Sequence, residues 1–501
     1  MPATRLEDLP AHARDLASRS LDWMDACWDA DVALFRTPHD KLYEAGKLGV
    51  PGHLVRESGW YALGLLLRNR ADDRERAIRT LESVLNYQFD APDQPYHGTW
   101  YRSPHEPPPP ANPREWKDYD PNWREFIGTT LALILIEYAD QLPAALIERI
   151  DAALQRAAVG TLARHVSASY TNIALMTAFL LQFAGERYQR PEWTEASSEL
   201  AEQIWELFRR TSTFEEFNSP TYYGIDLYAL ALWRSYATQP FLREKGAAIE
   251  RRIWQEIAQT YHAEMRNIVG PYDRSYSMDM RNYVSCLALW IWLITGYERA
   301  PFPDICHDFG HNWDFALAPA VALLGLDLPS ELEQHFRQFS GPRSLRIVIN
   351  HEPERVATAY LAERIMLGGE EAPSNHRPNN SQYHPATLHW LSGQDNQLGW
   401  IKINNTAPIR AQAEGTSLRM FIQAQRGGEL NFSFRIGGDL ALSFEMIERG
   451  RWRLPGLNID VMTQAESVAV EQAGNELLVS YTARNLPPRA MVRCTLIAEL
   501  V

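Results

Sequence analysis

The chain has 501 residues, which is too long for one ordinary core and indicates either two packed units or one large repetitive unit. Its formal net charge of −14 disfavours nucleic acid and anionic membrane surfaces as partners, because both are negatively charged. Hydrophobic residues make up 45% of the chain and charged ones 22%, which argues against general disorder. The 16 Trp and 21 Tyr provide flat rings of the kind that suits sugar faces.

The first ten residues, MPATRLEDLP, contain no basic segment followed by an apolar run, so we expect no export signal and a cytoplasmic location. Four widely spaced cysteines indicate neither a disulfide framework nor a thiolate zinc site. The strongest apolar run, residues 287–294, is less than half the length of a membrane span. The sequence therefore predicts no membrane span.

Up to about residue 340, apolar residues recur at helical spacing and predict helices over 60–67, 126–138, 144–158, 171–183, 201–208, 227–236, 247–261, 283–294 and 315–323. Beyond Gly341 the pattern shortens to strand-like runs over 345–349, 399–403, 430–434, 440–444 and 491–497. This order predicts an incomplete (α/α) toroid of about six helical hairpins over residues 1–340. An antiparallel β-sandwich is predicted over residues 341–501.

Four polar or aromatic residues recur at nearly equal steps along the helical region. Trp123, Asn172, Tyr223 and Arg274 are separated by 49, 51 and 51 residues, and about fifty residues make one helical hairpin with its loops. Each lies near the start of a predicted inner helix or in the loop before it. If the hairpins close into a ring, equivalent loop positions converge on one cleft.

The segments around these residues resemble polysaccharide lyases. NWREFIGTTLALILI at 122–136 is similar to the Asn-Trp-Trp…Glu-Ile-Gly segment of hyaluronate and chondroitin lyases, and TYYGIDLYAL at 221–230 is similar to their Tyr-Gly helix start. FNSPTYYG at 217–224 resembles the Ser-Pro-x-Tyr segment of heparinase II/III-type lyases. Both groups have an α/α ring followed by antiparallel sheets, so the resemblance in layout extends over nearly the whole chain.

This resemblance implies β-elimination at a uronic acid. Asn172 would neutralise the substrate carboxylate, Tyr223 would remove the C5 proton, Arg274 would assist, and Trp123 would be a sugar platform. The neighbouring Tyr222 is a second candidate for the base. Elimination needs such groups, because a proton α to a carboxylate is too weakly acidic to leave until hydrogen bonds stabilise the developing negative charge.

The lyase pattern also has a histidine several residues before the tyrosine, and here that region is FEEF at 214–217, with no histidine. The segment CHDFGHNWDFALAP contains His307 and His311, either of which would replace the missing imidazole. A zinc site at this segment is the weaker interpretation, because Gly310 interrupts it and the Glu of a metalloprotease signature is absent. We predict no metal and no cofactor. The further predicted substrate-binding residues are Arg124, Tyr222, Tyr276, His311 and Tyr383.

Two other functions stay open. An α/α toroid also suits an inverting glycoside hydrolase, whose paired carboxylates lie about 6.5–9.5 Å apart. Asp120 or Glu125 with Asp273 or Asp279 would form such a pair. The third hypothesis is a carbohydrate-binding protein without catalytic activity. In all three, carbohydrate is the expected partner.

Overall fold

The computed structural model describes residues 4–37, 52–306, 309–377, 379–392, 397–438, 444–448 and 450–501. The chain forms two compact units. The toroidal unit consists of Met1–Phe208, Tyr222–Arg251 and Asn282–Asp327. The sheet unit consists of Arg209–Thr221, Arg252–Arg281 and Leu328–Val501.

The helices follow the predicted segments and add several that the apolar pattern missed. Their bounds are α1 Ala11–Cys27, α2 Val55–Arg68, α3 Asp73–Asn86, α4 Trp123–Tyr138, α5 Ala144–Arg164, α6 Thr171–Arg187, α7 Pro191–Thr211, α8 Tyr223–Tyr236, α9 Pro240–Thr260, α10 Cys286–Thr295, α11 Ala318–Leu324 and α12 Glu333–Arg337. Among them α1 and α3 were not predicted. The helix α3 is rich in charge and buries only a narrow stripe of apolar residues.

Inner and outer helices alternate in the toroidal unit. The inner helices α2, α4, α6 and α8 are buried over nearly their whole length, because their sequences are apolar on all sides. The outer helices α3, α5 and α7 bury one face each. Around the ring, α2 packs on α4, α4 on α6, α6 on α8, α8 on α11 and α11 on α2. These contacts close the ring and confirm the predicted α/α toroid.

Five short strands accompany the helices. Strands β1 Trp28–Asp29, β2 Leu34–Arg36 and β3 His53–Leu54 form a small antiparallel sheet in the toroidal unit. Strands β4 Tyr261–His262 and β5 Asn267–Ile268 form a hairpin in the sheet unit.

Two antiparallel sheets dominate the sheet unit. Their strands are β6 Arg343–His351, β7 Glu354–Ala362, β8 Ile365–Glu371, β9 Ala386–Leu391, β10 Leu398–Ile403, β11 Ile409–Glu414, β12 Ser417–Gln423, β13 Gly428–Gly438, β14 Glu445–Glu448, β15 Arg451–Leu454, β16 Leu457–Thr463, β17 Ser467–Ala473, β18 Glu476–Leu486 and β19 Met491–Leu500. The eight-stranded sheet has the order β17-β18-β13-β10-β9-β8-β7-β6, and the six-stranded sheet has the order β11-β12-β19-β16-β15-β14. The predicted run at 440–444 lies almost entirely outside the described residues.

Apolar residues from the facing sides of both sheets share one core, as in a β-sandwich. Trp452 of the smaller sheet donates its indole N–H to the hydroxyl of Tyr481 in the larger sheet, at 3.2 Å. The period-two burial along β13 and β18 reflects the alternation of their apolar and polar residues. The predicted antiparallel β-sandwich is therefore confirmed.

The division by packing is more interleaved than a single boundary at residue 340. Residues 209–221 and 252–281, which precede that point, pack with the sheets. Asp273 donates its backbone N–H to the carbonyl of Phe217, and Tyr272 pairs with His384 as an isolated β-bridge. These long-range backbone hydrogen bonds attach both segments to the sheet unit. In the part of the chain that the structure describes, no helix is both long and apolar enough to cross a membrane.

Candidate active site

The starts of the inner helices lie at one end of the toroidal ring, because each inner helix returns through an antiparallel outer helix. Asn122, just before α4, donates its side-chain amide to the hydroxyl of Tyr170, just before α6, at 3.0 Å. Gly224, in the first turn of α8, lies against the backbone of Cys286 at the start of α10. These two contacts bring the start of α4 to that of α6 and the start of α8 to that of α10. The convergence of the four residues of the fifty-residue series on one cleft stays a prediction. We call this end the ring mouth.

Arg164, the last residue of α5, brings a cation to the ring mouth. Its Nη1 donates to the side-chain oxygen of Asn122 at 2.8 Å and lies 3.9 Å from Oε2 of Glu125. Its Nε lies 3.9 Å from Oε1 of Glu115. No strong ion pair therefore neutralises Arg164 among the described residues. Arg164 was not predicted from the sequence, because it ends an outer helix and follows no motif.

Glu125 lies deep in the ring, with none of its side chain exposed. Its Oε1 accepts hydrogen bonds from Thr161 at 3.0 Å and Thr177 at 3.4 Å. Burial raises its pKa, although Arg164 and Arg124 oppose that shift. A substrate cannot contact this carboxyl group in the structure as it stands.

Asp120 precedes α4 and is less enclosed. Its Oδ1 accepts the backbone N–H of Asn122 at 2.9 Å. Burial raises its pKa to about 6, and the positive charges of Arg102, Arg56 and Arg164 only partly oppose this. A carboxyl group that titrates near neutral pH is suited to proton transfer.

Trp123, predicted as a sugar platform, is a packed residue with only 6% of its surface exposed. The Arg56 guanidinium lies 4.6 Å from its ring centroid, and Phe126 contacts its edge. Arg56 in turn pairs with Glu57 and lies 3.2 Å from Asp314. Because these contacts enclose the indole, we leave Trp123 out of the proposed site.

Arg124 is also a structural residue. Its guanidinium is buried and donates to the backbone carbonyls of His97, at 2.8 Å, and Pro95. These bonds fix the loop after α3 against α4. Arg124 therefore does not face a substrate in this conformation.

Asn172 and the tyrosine pair lie in the first turns of neighbouring inner helices. Asn172 is the second residue of α6, and Tyr223 is the first residue of α8. Asn172 is buried, and Tyr223 has 0% of its surface exposed. Tyr222, directly before α8, is partly exposed. Of the two tyrosines, only Tyr222 has a solvent-accessible side chain in this structure.

The histidine segment is described only in part. His307 lies outside the described residues. His311 is in the toroidal unit, where its Nδ1 lies 3.8 Å from Oδ2 of Asp314 and its ring contacts Tyr283. An imidazole near Asp314 is consistent with the predicted role of His311, which stays a prediction.

Arg274 belongs to the sheet unit, unlike the other three residues of the fifty-residue series. Its Nη1 lies 3.1 Å from Oε1 of Glu216, and its Nε donates to Oε1 of Gln382 at 3.0 Å. Its carbonyl accepts the hydroxyl of Ser219 at 2.6 Å. Arg274 thus connects three segments of the sheet unit, and Glu216 partly neutralises its charge.

Asp273 is the centre of a buried ionic cluster in the sheet unit. Arg377 binds both of its oxygens, at 2.9 and 2.6 Å, Arg355 donates at 3.0 Å, and His376 lies at 3.2 Å. Burial would raise its pKa, but His376, Arg355 and Arg377 lower it to about 2. Arg355 also pairs with Glu370 at 2.8 Å. We call these five residues the Asp273 cluster.

The remaining predicted residues of the sheet unit have different settings. Asp279 is buried and receives two hydrogen bonds from Nε and one from Nη2 of Arg281, the last at 2.7 Å. Tyr383 is buried beside His376. Tyr276 is 38% exposed. Asp273 and Asp279 are thus both bound to arginine side chains.

The fold defines the class of protein as an α/α toroid with an antiparallel β-sandwich. The chain belongs to the family described as Domain of unknown function (DUF8769), whose model matches residues 14–325, more than half of the sequence. A second model, Domain of unknown function (DUF8770), matches residues 346–477. A comparison with curated proteins finds no significant sequence match.

Among solved structures, a heparinase III is similar, with a TM-score of 0.48, 10% identity, and coverage of 98% of this chain and 85% of that one. A heparan sulfate lyase from Pedobacter heparinus has a TM-score of 0.36, 8% identity, and coverage of 98% and 84%. Because both TM-scores are below 0.5, these likenesses assign neither a substrate nor a residue role to this chain.

Proposed function

We propose that the protein is a carbohydrate lyase that cleaves a uronic-acid-containing oligo- or polysaccharide by β-elimination. A tyrosinate at the ring mouth takes the C5 proton of the uronate, and the electron pair of that C–H bond forms a C4=C5 double bond. The C4–O bond breaks with its electron pair, and the leaving oxygen takes the proton from the tyrosine that removed it. No water is added.

The observation that carries this proposal is the position of an amide and two tyrosines in the first turns of packed inner helices. Asn172 begins α6 and Tyr222 and Tyr223 begin α8, and these helices contact each other in the ring. An amide hydrogen bond to the substrate carboxylate stabilises the negative charge that develops when the C5 proton leaves. Arg164, linked through Asn122 to Tyr170, adds a cation near the start of α6.

Tyr222 is the base that we favour, because the reacting hydroxyl must reach the substrate. Its side chain is partly exposed, whereas Tyr223 has no exposed surface. A phenol has an ordinary pKa of about 10, so a nearby cation is needed to increase its ionised fraction. Tyr223 remains the alternative that the lyase resemblance implies.

Glycoside hydrolysis is the second candidate, and Asp120 supports it. Its raised pKa, about 6, suits a general acid. Its predicted partners are less suitable, because Asp273 and Asp279 are bound to arginines. Glu125, the predicted alternative to Asp120, is enclosed. We therefore rank hydrolysis below elimination.

One experiment separates the two reactions. The protein is incubated with hyaluronate and heparan sulfate oligosaccharides in heavy-oxygen water, and ultraviolet absorbance and product mass are recorded. Elimination gives a conjugated double bond and no label. Heavy oxygen at the anomeric carbon without new absorbance would reject the lyase proposal and support the hydrolase.

Variants then identify the base. Tyr222→Phe is expected to lower kcat by about 10²–10⁴-fold, the usual contribution of a general acid or base. Tyr223→Phe tests the alternative. Tyr188→Phe, at the opposite end of α6, is the matched control and should retain activity. Full activity in Tyr222→Phe together with loss in Tyr223→Phe would transfer the role to Tyr223.

A further inference from the structure

We propose that Trp116 is a sugar-stacking platform beside the ring mouth, and that its ligand is one ring of an acidic carbohydrate chain. This inference rests on the proposed function and extends it to a binding subsite. Trp116 lies in the loop between α3 and α4. Neither the fifty-residue spacing nor the lyase resemblance pointed to it.

The first observation is the exposure of the indole. Trp116 has 56% of its surface exposed, and every other tryptophan in the described part of the chain is buried or only partly exposed. Exposed aromatic rings with both an apolar face and a polar edge are typical of binding surfaces. Trp123, seven residues later, has its ring covered instead by Arg56 and Phe126.

The second observation is that the loop holds this exposed ring in an unfavourable backbone conformation. Trp116 has a φ of +58°, in the left-handed region that bulky residues rarely adopt. Such conformations persist where surrounding contacts impose them, and they cluster at functional sites.

The contacts that impose it are extensive. Arg102 donates to the carbonyl of Trp116 at 3.4 Å and to that of Lys117 at 2.9 Å, while Glu106 holds its guanidinium. The backbone N–H of Trp116 donates to the carbonyl of Tyr119 at 2.8 Å. The platform is therefore fixed before a ligand arrives, which reduces the entropy cost of binding.

The third observation is the position of the loop. Glu115, next to Trp116, lies 3.9 Å from Arg164, which is hydrogen-bonded to Asn122 at the start of α4. The exposed cations Arg114 and Lys117 are close to Trp116 in the same loop, which also contains Asp118. Glu115 lies towards Arg164, and Asp118 accepts the backbone N–H of Arg114. A flat ring with flanking cations, beside the helix starts that contain Asn172, suits a pyranose that carries a carboxylate or sulfate.

The test compares kinetics on short and long chains. Values of kcat and KM are measured with tetrasaccharides and octasaccharides of hyaluronate and heparan sulfate. Trp116→Ala should raise KM for the octasaccharide about tenfold, a loss equivalent to one good contact, and change kcat less than about twofold. Trp116→Phe, which keeps a smaller ring, should lie in between.

Trp205→Ala is the control, since Trp205 is a partly exposed tryptophan on the outer helix α7. Its KM should be unchanged. Normal cleavage with an unaltered octasaccharide KM in Trp116→Ala would overturn the platform and leave the proposed function standing. An unmodified protein that neither binds nor cleaves any of these oligosaccharides would overturn both.

An exposed tryptophan can also lie at an interface between two copies of a chain, and sedimentation tests this. Trp116→Ala and the unmodified protein should sediment alike. If the substitution dissociates an oligomer, Trp116 lies at an interface between copies of the chain, and the platform is rejected.

Discussion

Two aspartates, one in each unit, have pKa values that are shifted in opposite directions. Asp273 of the sheet unit receives hydrogen bonds from Arg355 and Arg377 and contacts His376, and its pKa falls to about 2. Asp120 of the toroidal unit accepts one backbone N–H within hydrogen-bond distance, from Asn122, and its pKa rises to about 6. Burial raises the pKa of both, so direct pairing with cations decides the sign.

This difference distinguishes a structural carboxylate from one that is poised for proton transfer. Arg355, Arg377 and His376 bind the carboxylate of Asp273 and compensate its charge. Asp273 therefore holds the surrounding loops together. The arginines near Asp120 act on it only through space and leave it able to titrate near neutral pH. Whether an acidic residue can transfer a proton therefore depends on the hydrogen-bond donors around its carboxylate more than on its burial.

The largest effect is expected for loss of the Asp273 carboxylate, which is bound by two arginines and a histidine. Asp273→Ala should lower the apparent free energy of unfolding by about 3–5 kcal/mol, because Arg355 and Arg377 lose the charge that compensates their own burial. Urea unfolding followed by fluorescence measures the change. Glu445→Ala, which breaks the exposed pair with Arg453, is the control and should cost less than about 1 kcal/mol. An equal loss of unfolding free energy in Asp273→Ala and Glu445→Ala would contradict this prediction.

A second prediction compares the two tryptophans of the α4 region. Trp123→Ala should lower the free energy of unfolding by about 3–5 kcal/mol, because it leaves a cavity and removes the ring under Arg56. Trp116→Ala should change it by less than about 0.5 kcal/mol, since the indole is mostly in solvent. Thermal and urea unfolding measure both. The opposite order would make Trp123 the accessible platform and Trp116 the packed residue.

The smallest expected effect is a pH dependence at Asp120. Because its folded pKa is raised, the folded protein binds more protons than the unfolded chain between about pH 4 and pH 6, and stability falls as pH rises through that window. Asp120→Asn removes this loss, so relative to the unmodified protein it should gain roughly 2 kcal/mol between pH 4 and pH 7. Unfolding at the two pH values gives the result.

Asp273→Asn is the contrasting variant for this measurement. The folded pKa of Asp273 is lowered, so its contribution is present above its ordinary pKa of about 3.9 and is lost as pH falls towards 2. Its effect should therefore change little between pH 5 and pH 7. A parallel response of the two asparagine variants would show that the two aspartates do not differ as described.

The fold could be predicted because it depends on patterns that are local in the chain. Long apolar segments with a period near 3.6 became α4, α6 and α8, and short runs separated by glycine became strands such as β13. The helix α3 was missed because its sequence is mostly charged and only its narrow apolar stripe packs on α2. The segments 209–221 and 252–281 joined the sheet unit through backbone hydrogen bonds that leave no local pattern.

The site was predictable only in outline. The fifty-residue spacing identified the helix starts and, with them, Asn172 and the tyrosine pair, but it gave no information about exposure. Trp123 and Trp116 are both tryptophans close to the start of α4, and only the packing of Arg56 separates the buried ring from the exposed one. Arg164 reaches Asn122 across 42 residues, which no motif records.

The sequence by itself determined the order of helices and strands, because the periodicity of apolar residues is set by the geometry of each element. It also determined the residue types available at the helix starts. The tertiary structure alone decided which charged groups are paired with opposite charges and which side chains are accessible to solvent. The pKa values of Asp120 and Asp273, and the exposure of Tyr222 and Trp116, depend on donors and neighbours that are distant in the chain and adjacent only after folding.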